Sequence, residues 1–172
     1  IVLINSYRLW QCFMLLLYNL KMQNQIKKTK LVFGLPSLAV GGIEKQLIKQ
    51  LEIFDREKFE IFLITLFEYK NIPNLYEKVP LDVHVFRIGI KSKLDIKGLW
   101  KLFKVLKEIS PNVVVTSMFS ANTVFRFMKL FLGYKVFARE HNIYLEKKWW
   151  QTRVDKCLSK ITNKIIAVSK TV

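Results

Sequence analysis

The sequence predicts an α/β fold in which a doubly wound, mostly parallel sheet carries helices on both faces. Apolar runs alternate with amphipathic helical segments, which is the order expected of βαβ units. The runs are continuously apolar, so both faces of each strand are expected to be covered. The apolar fraction of 51% is ample for a packed core. These features together indicate a Rossmann-like sandwich.

Each element follows from a local pattern. Runs rich in β-branched and aromatic residues predict strands at 30–36, 59–67, 83–88, 112–117, 134–140 and 164–169. Helical periodicity predicts helices at 42–54, 94–109, 121–132 and 146–160. The clearest is 94–109, where leucines and Phe103 line one face and lysines line another. Gly133 is expected to end the third helix.

The length of 172 residues suits one domain. We expect residues 30–172 to form it and residues 1–29 to lie outside it. The apolar core of that leading segment, Cys12 to Tyr18, is shorter than the roughly 20 residues that a membrane span needs. It is interpreted as a membrane-apposed extension or as sequence upstream of the true start. Because the chain begins at Ile1, we expect a fragment.

In a doubly wound sheet, ligands bind beyond the carboxyl ends of the strands. The glycine pair Gly41-Gly42 follows the first predicted strand and begins the first predicted helix. Glycine permits close approach to the backbone, and the N–H groups of a helix N-terminus suit phosphate. The pair lacks the G-x-G-x-x-G spacing and the G-K-[ST] ending of known nucleotide loops. A plain tight turn and a phosphate-facing loop both remain open.

Two further loops follow predicted strands. Ser120 and Asn122 come after the fourth strand, where they could cap a helix or offer hydrogen bonds to a polyhydroxylated ligand. His141 follows the fifth strand, where an imidazole could contact a sugar hydroxyl or serve a structural purpose. No cluster of histidines, cysteines and acids has the spacing of a metal site.

Four segments, taken in order and with their spacing, resemble the N-terminal domain of the GT-B glycosyltransferases of family four. They are GLPSLAVGGIEKQL, LKEISPNVVVTSMFSANTVFRF, VFAREHNIY and NKIIAVSKTV. That family shows a GG-x-E loop, a P-[DN]-V-V strand, a histidine or Arg-Asn after the next strands, and a strand ending in VS. The resemblance covers residues 30–172.

The resemblance implies a retaining, nucleotide-sugar-dependent glycosyltransferase of polysaccharide, lipopolysaccharide or glycolipid synthesis. It implies that Gly41 and Gly42 approach the donor diphosphate and that His141 is the catalytic group that contacts the transferred sugar. The residues expected to line the crevice or the acceptor site are Ser37, Ser120, Asn122 and Asn142.

The resemblance also implies how the substrates are divided. A glycan or lipid-linked acceptor would bind mainly to this domain, and the nucleotide-sugar would bind mainly to a second domain beginning shortly after Val172. Without that domain we expect little or no transferase activity. No metal or other cofactor is expected, in keeping with the lack of a DxD-like acidic pair.

The net charge of +16 favours anionic partners, which include nucleic acid, phosphorylated molecules and acidic lipid. Lysines recur between residues 91 and 107 and again between 147 and 164, beside Trp149 and Trp150. Such faces are either solvated surface or contacts with anionic lipid. We therefore expect a cytoplasmic protein with peripheral contact to the inner face of the plasma membrane.

Two other classes share some of these features. A nucleotide-cofactor domain of an oxidoreductase has the same fold class but needs the glycine fingerprint that is missing here. A basic nucleic-acid-binding module is suggested by the charge alone, and no recognition motif of that class is visible. We expect no nucleic-acid partner.

Overall fold

The computed structural model describes residues 2–3, 28–92, 95–140 and 148–167, which form one open sheet with helices on both faces. The strands are β1 Val2–Leu3, β2 Thr29–Leu35, β3 Phe59–Thr65, β4 His84–Arg87, β5 Val113–Ser117, β6 Lys135–Glu140 and β7 Lys164–Ala167. The helices are α1 Gly42–Glu52, α2 Ile96–Ile109, α3 Phe119–Leu132 and α4 Trp149–Ser159. A short 3₁₀ helix spans Tyr76–Lys78.

The strand order is β4-β3-β2-β5-β6-β7-β1, and every pair is parallel. From β4 to β7 this is the order 3-2-1-4-5-6 of the doubly wound dinucleotide-binding folds. The chain leaves β2 toward β3 and leaves β5 in the opposite direction, toward β6. The switch point therefore lies between β2 and β5. The predicted fold class is confirmed.

Two apolar layers cover the sheet because successive side chains of a strand point to opposite faces. On one face, Leu47 and Leu51 of α1 pack with Phe33 of β2. On the other face, Leu106 of α2 and Phe125 of α3 pack with the remaining strand residues. These side chains are almost wholly buried, and each contributes roughly 1.5–3 kcal/mol of apolar transfer free energy.

Gly34 sets the distance between α3 and the central strand. A Cβ placed on Gly34 would lie closer than 3.0 Å to the ring of Phe125. The missing side chain on β2 is thus replaced by an aromatic ring from the helix above it. This packing fixes where α3 begins relative to the carboxyl end of β5.

The predicted elements agree with the structure to within a few residues, with two differences that matter. Helix α3 begins at Phe119 rather than residue 121, so Ser120 lies inside its first turn. Val2–Leu3 pairs with β7, and Thr29 begins β2, although both lie in the stretch predicted to be outside the core. Residues 4–27 are outside the described ranges, so the domain boundary as a whole stays a prediction. None of the helices in the described ranges is long and apolar enough to cross a bilayer.

Candidate functional site

The switch point brings two loops together at the carboxyl edge of the sheet. One joins β2 to α1 and contains Ser37, Gly41 and Gly42. The other is the single residue Met118, which joins β5 to α3. Because β2 and β5 are hydrogen-bonded neighbours, the two helix N-termini flank one crevice, where open α/β sheets bind their ligands.

The glycine pair leaves the start of α1 accessible. Gly41 is the N-cap, with an extended backbone at φ −152° and ψ 174°, and it contributes no capping side chain. Gly42 is exposed, and a Cβ placed on it meets no heavy atom of the described residues within 4 Å. The first N–H groups of a helix have no partners within the helix. An anion can therefore approach them closely from the side of Gly42.

Gly41 is required for a different reason. A Cβ on Gly41 would lie closer than 3.0 Å to Oε2 of Glu44, whose side chain is 8% exposed. The carboxylate of Glu44 thus folds back against the N-cap, where the helix dipole favours negative charge. The Glu44 carboxylate fills the space beside Gly41, and the space beside Gly42 stays open.

A shallow, open pocket lies beside the glycine loop. It is lined by Ser37, Leu38, Ala39, Phe67, Glu68, Tyr69, Ile72, Asn74, Tyr76 and Arg87. The segment after β3 forms its far wall and pairs with the glycine loop, since Val40 N–H donates to the Pro73 carbonyl at 3.0 Å. Leu75 N–H donates to the Leu38 carbonyl at 2.9 Å. The pocket wall and the glycine loop are therefore one connected unit.

The polar groups of the pocket are held in place by each other. Arg87 Nε lies 2.8 Å from Glu68 Oε1, and the guanidinium of Arg87 lies 4.4 Å from the centre of the Tyr76 ring. The Tyr76 hydroxyl is 2.8 Å from Thr65 Oγ1. An aromatic ring, a cation and a carboxylate thus meet at one wall. The cation and the carboxylate can bind a polyhydroxylated molecule through hydrogen bonds.

Ser37, which the sequence predicts as a crevice or acceptor residue, lines this pocket, and its role stays a prediction. The sequence does not predict the other polar residues of the pocket. Glu68, Asn74 and Tyr76 lie in an irregular segment without a motif. The signal that could have found them is their position after β3, at the same edge of the sheet as the glycine loop. The Ser37 hydroxyl accepts a long hydrogen bond of 3.5 Å from the Ala39 N–H.

The loop between β5 and α3 is built differently. Met118 has φ 71° and ψ 149°, a region that a residue with a side chain rarely adopts. It is the N-cap of α3 and gives no side-chain cap. Neither Ser120 nor Asn122 is therefore the N-cap. Ser120 is half-buried in the first turn.

Asn122 is fully buried and bonded on both sides of its amide. Its Oδ1 accepts from Thr116 Oγ1 at 2.7 Å. Its Nδ2 donates to Glu140 Oε1 at 2.7 Å and to the Arg139 carbonyl at 3.1 Å. These bonds join α3 to β5 and β6. Contact of Asn122 with a ligand stays a prediction, and its burial disfavours that contact.

Two arginines complete the buried polar network. Arg126 is 1% exposed, and its Nη2 lies 2.8 Å from Asp155 and 3.7 Å from Glu140. Arg126 Nη1 has no hydrogen-bond partner among the described residues. Arg139 donates to Ser117 Oγ at 2.8 Å and to Gln50 Oε1 at 2.9 Å, which links β6 to α1. Burial lowers the pKa of Arg139 to about 10, so it remains protonated at neutral pH.

His141 and Asn142 lie outside the described residues, directly after the end of β6 at Glu140. Their predicted roles stay predictions. Among the residues that the structure describes, no three histidine, cysteine or acidic side chains come together as metal ligands would.

No sequence-family profile matches the chain, and no curated protein matches it by sequence. Solved structures do share its fold. WaaB, a lipopolysaccharide outer core galactosyltransferase, superposes with a TM-score of 0.64 at 16% identity, over 83% of this chain and 40% of its own. HepE of Anabaena, solved in complex with UDP, superposes with a TM-score of 0.58 at 16% identity, over 80% of this chain and 37% of its own.

MurG of Acinetobacter baumannii gives a TM-score of 0.56 at 12% identity, over 84% of this chain and 42% of its own. The three neighbours are GT-B glycosyltransferases, and the chain spans about two fifths of the length of each. The assignment to family four within that fold stays a prediction. The chain thus has the α/β fold of one part of the GT-B glycosyltransferases.

Proposed function

We propose that the chain is the acceptor-side domain of a retaining glycosyltransferase that uses a nucleotide-sugar donor. The observation that carries the proposal is the open helix start at Gly42, at the switch point of a fold shared with glycosyltransferases. HepE forms a complex with UDP, which makes a nucleoside diphosphate the expected leaving group. We assign binding of that diphosphate to the glycine loop.

The chemistry needs positive potential where the loop lies. Departure of a nucleoside diphosphate builds negative charge on the phosphate oxygens as the sugar becomes oxocarbenium-like. Fixed N–H groups that face this developing charge lower the barrier, because they need no reorganisation during the reaction. The first N–H groups of α1, approached from the open side of Gly42, are the donors we assign to this role.

The pocket beside the loop is the site we assign to the acceptor. Arg87, which lies over the Tyr76 ring, and Glu68 offer a donor and an acceptor for the hydroxyl groups of a sugar. Ser37 belongs to the loop of the glycine pair and lines this pocket. Since WaaB acts on the lipopolysaccharide outer core, a glycan or lipid-linked glycan is the proposed acceptor class.

The remaining parts of the proposal rest on the sequence. His141 contacts the transferred sugar, and Ser120 and Asn142 line the crevice. A second domain after Val172 holds most of the nucleotide, and without it the chain has little transferase activity. The reaction uses no metal. The protein works in the cytoplasm at the inner face of the plasma membrane.

Backbone NMR of the ¹⁵N-labelled chain tests the donor contact residue by residue, and it detects binding even when affinity is low. UDP-galactose is titrated to millimolar concentration, with NAD and a short DNA duplex as the competing ligand classes. The amide signals of Gly41 and Gly42 are expected to shift with UDP-galactose alone. Gly133, at the far end of α3, is expected to keep its position.

A pair of variants provides the matched control. Gly42 and Gly133 each leave open space where a Cβ would stand, so both can be replaced without a clash. Gly42→Val is expected to weaken the shifts by about tenfold or more. Gly133→Asn, which tolerates the left-handed backbone at that position, is expected to leave them unchanged. If Gly42 does not respond to the sugar nucleotide, or if NAD or DNA moves it instead, the proposal is wrong.

A further inference from the structure

The first turn of α1 carries a buried carboxylate. Glu44 is 8% exposed and shares the core-facing side of α1 with Leu47, Ile48 and Leu51. Those three side chains pack in the apolar layer on the sheet, whereas Glu44 stands at the helix start, at the carboxyl edge of the sheet. Its Oε2 fills the space beside Gly41. A charged group therefore lies between the apolar layer and the crevice of the switch point.

No partner compensates this carboxylate among the described residues, where Glu44 forms neither a hydrogen bond nor an ion pair. The positions three and four residues further along α1, from which a lysine could reach it, are held by Leu47 and Ile48. The two lysines of α1, Lys45 and Lys49, are exposed. Because buried polar groups nearly always have a hydrogen-bond partner, an exception calls for an explanation.

Helix capping does not supply the explanation. Glu44 is the third residue of α1, from which a glutamate can accept a hydrogen bond from the N-cap N–H in a capping box. The N–H of Gly41 makes no such bond to it. At the start of α2, in contrast, Asp95 accepts from the N–H groups of Lys91 and Gly98, both at 2.9 Å. One helix start uses its carboxylate as a cap, and the other leaves the acceptor capacity of its carboxylate unused.

The Glu44 carboxylate remains within reach of the crevice. Within the part of the chain that the structure describes, Arg126 Nη1 is the one fully buried side-chain nitrogen or oxygen atom without a hydrogen-bond partner. The unpaired oxygens of Glu44 therefore keep some contact with solvent. A hydrogen-bond acceptor that is largely enclosed by protein interacts more strongly with a donor than it would in water, because the local dielectric constant is low.

The carboxylate and the helix start select different chemical groups. The first N–H groups of α1, approached beside Gly42, suit phosphate. An ionised carboxylate repels phosphate and accepts hydrogen bonds from hydroxyl groups. Gly42 and Glu44 are the first and third residues of α1, so the two sites are adjacent. A sugar nucleotide carries both matching groups side by side, because its diphosphate is bonded directly to a polyhydroxylated ring.

We propose that the Glu44 carboxylate accepts hydrogen bonds from hydroxyl groups of the transferred sugar and so determines which way round the donor lies. The phosphates lie on the Gly42 side, and the sugar lies on the Gly41 side, from which the carboxylate repels phosphate. This assignment rests on the donor contact proposed above and adds to it a specificity-determining residue for the sugar. Glycine is needed at position 41 because a Cβ there would displace the carboxylate.

Titrations of the ¹⁵N-labelled 172-residue chain, with the Gly42 amide signal as the readout, test the assignment. The ligands are UDP-galactose, UDP-glucose and UDP, of which only the first two carry a transferable sugar. For Glu44→Ala, the affinity for the sugar nucleotide that binds the wild type more tightly is expected to fall about tenfold or more, because hydrogen bonds to a charged group are lost. The affinity for UDP is expected to stay within about twofold or to rise, because the variant removes a like charge.

Glu44→Gln and Glu52→Ala are the matched controls. Glutamine keeps the size of the side chain and one acceptor oxygen, so Glu44→Gln is expected to lose about threefold in affinity for the sugar nucleotide. Glu52 is the other glutamate of α1 and is exposed at its far end. Glu52→Ala is expected to bind all three ligands like the wild type. Circular dichroism and thermal melting confirm that each variant is folded, and Glu44→Gln decides the question if Glu44→Ala does not fold.

Two results would overturn the assignment while the proposed function stands, because Gly42 still responds to the sugar nucleotide. The first is a Glu44 variant that changes the melting temperature and keeps the wild-type preference between sugar nucleotide and UDP. The second is equal weakening for UDP and the sugar nucleotides, which would place the contact at the phosphates or the ribose. If no sugar nucleotide moves the Gly42 signal in the wild type, the proposed function and this assignment are both wrong.

Discussion

The two loops at the switch point begin their helices by opposite means. The loop from β2 to α1 uses two glycines in ordinary backbone conformations and leaves open space beside Gly42. The loop from β5 to α3 holds Met118 at a positive φ, above a buried network that contains Asn122 and Arg126. One loop leaves open space beside Gly42, and the other is filled by the protein itself. The β5–α3 loop holds the carboxyl end of β5 in place. The β2–α1 loop lies beside that strand end.

The largest effect is expected from breaking the network under the filled loop. Arg126→Ala leaves the carboxylates of Asp155 and Glu140 without their buried cation. We expect the free energy of unfolding to fall by about 3–5 kcal/mol, because the variant removes one partner of a buried ion pair. Urea denaturation followed by circular dichroism measures the loss. Arg153→Ala, on an exposed face of α4, should change it by about 1 kcal/mol or less. A loss below about 1 kcal/mol for Arg126→Ala would contradict the expectation.

The next largest effect concerns the packing of α3 against β2. Gly34→Ala puts a methyl group into the ring of Phe125. We expect a loss of about 1–3 kcal/mol from overpacking. The double variant with Phe125→Leu, which frees space beside residue 34, should lose less than the sum of the two single variants in the same denaturation assay. Strict additivity would mean that the two sites do not press on each other.

A smaller change of opposite sign is expected at Met118. Met118→Gly removes the side chain that makes the positive φ unfavourable, so stability should rise by about 1 kcal/mol. Ser110→Gly, at the left-handed C-cap of α2, should give a similar or smaller gain. Thermal melts compare the two. A lower melting temperature for Met118→Gly would show that the methionine side chain contributes more packing than its backbone conformation costs.

The smallest effect on stability is expected in the open loop. Gly42→Ala should change the free energy of unfolding by no more than about 0.5 kcal/mol, because the new methyl group points into open space and alanine suits a helix. Gly41→Ala must displace the Glu44 carboxylate, a flexible group, and should cost slightly more. Denaturation midpoints of the two variants measured side by side would reveal the order. A large loss for Gly42→Ala would show that this side of the loop is packed.

The sequence could predict the sheet because its evidence is local. Apolar or β-branched runs such as 113–116, and helices with one leucine face, define their elements without reference to distant residues. The glycine pair could be recognised for the same reason, since it stands at the end of a short loop that joins a strand to a helix.

The buried network and the pocket could not be predicted in this way, because their members are far apart in the chain. Arg126 meets Asp155, 29 residues later, and Arg139 meets Gln50, 89 residues earlier. Asn122 could be predicted as a residue of the switch-point loop, but the pattern does not show whether such an amide faces the crevice or the interior. That choice depends on Thr116 and Glu140, which the fold brings to it.

The all-parallel sheet has a consequence for the nascent chain. Lys30 of β2 pairs with Asn112, 82 residues later, across the centre of the sheet. At a synthesis rate of about 5–20 residues per second, that edge of β2 waits roughly 4–16 s for β5 to emerge from the ribosome. Throughout that interval the apolar stretch Leu31–Gly34 presents unpaired backbone groups. Ribosome-associated chaperones are therefore expected to matter most between the emergence of β2 and the emergence of β5.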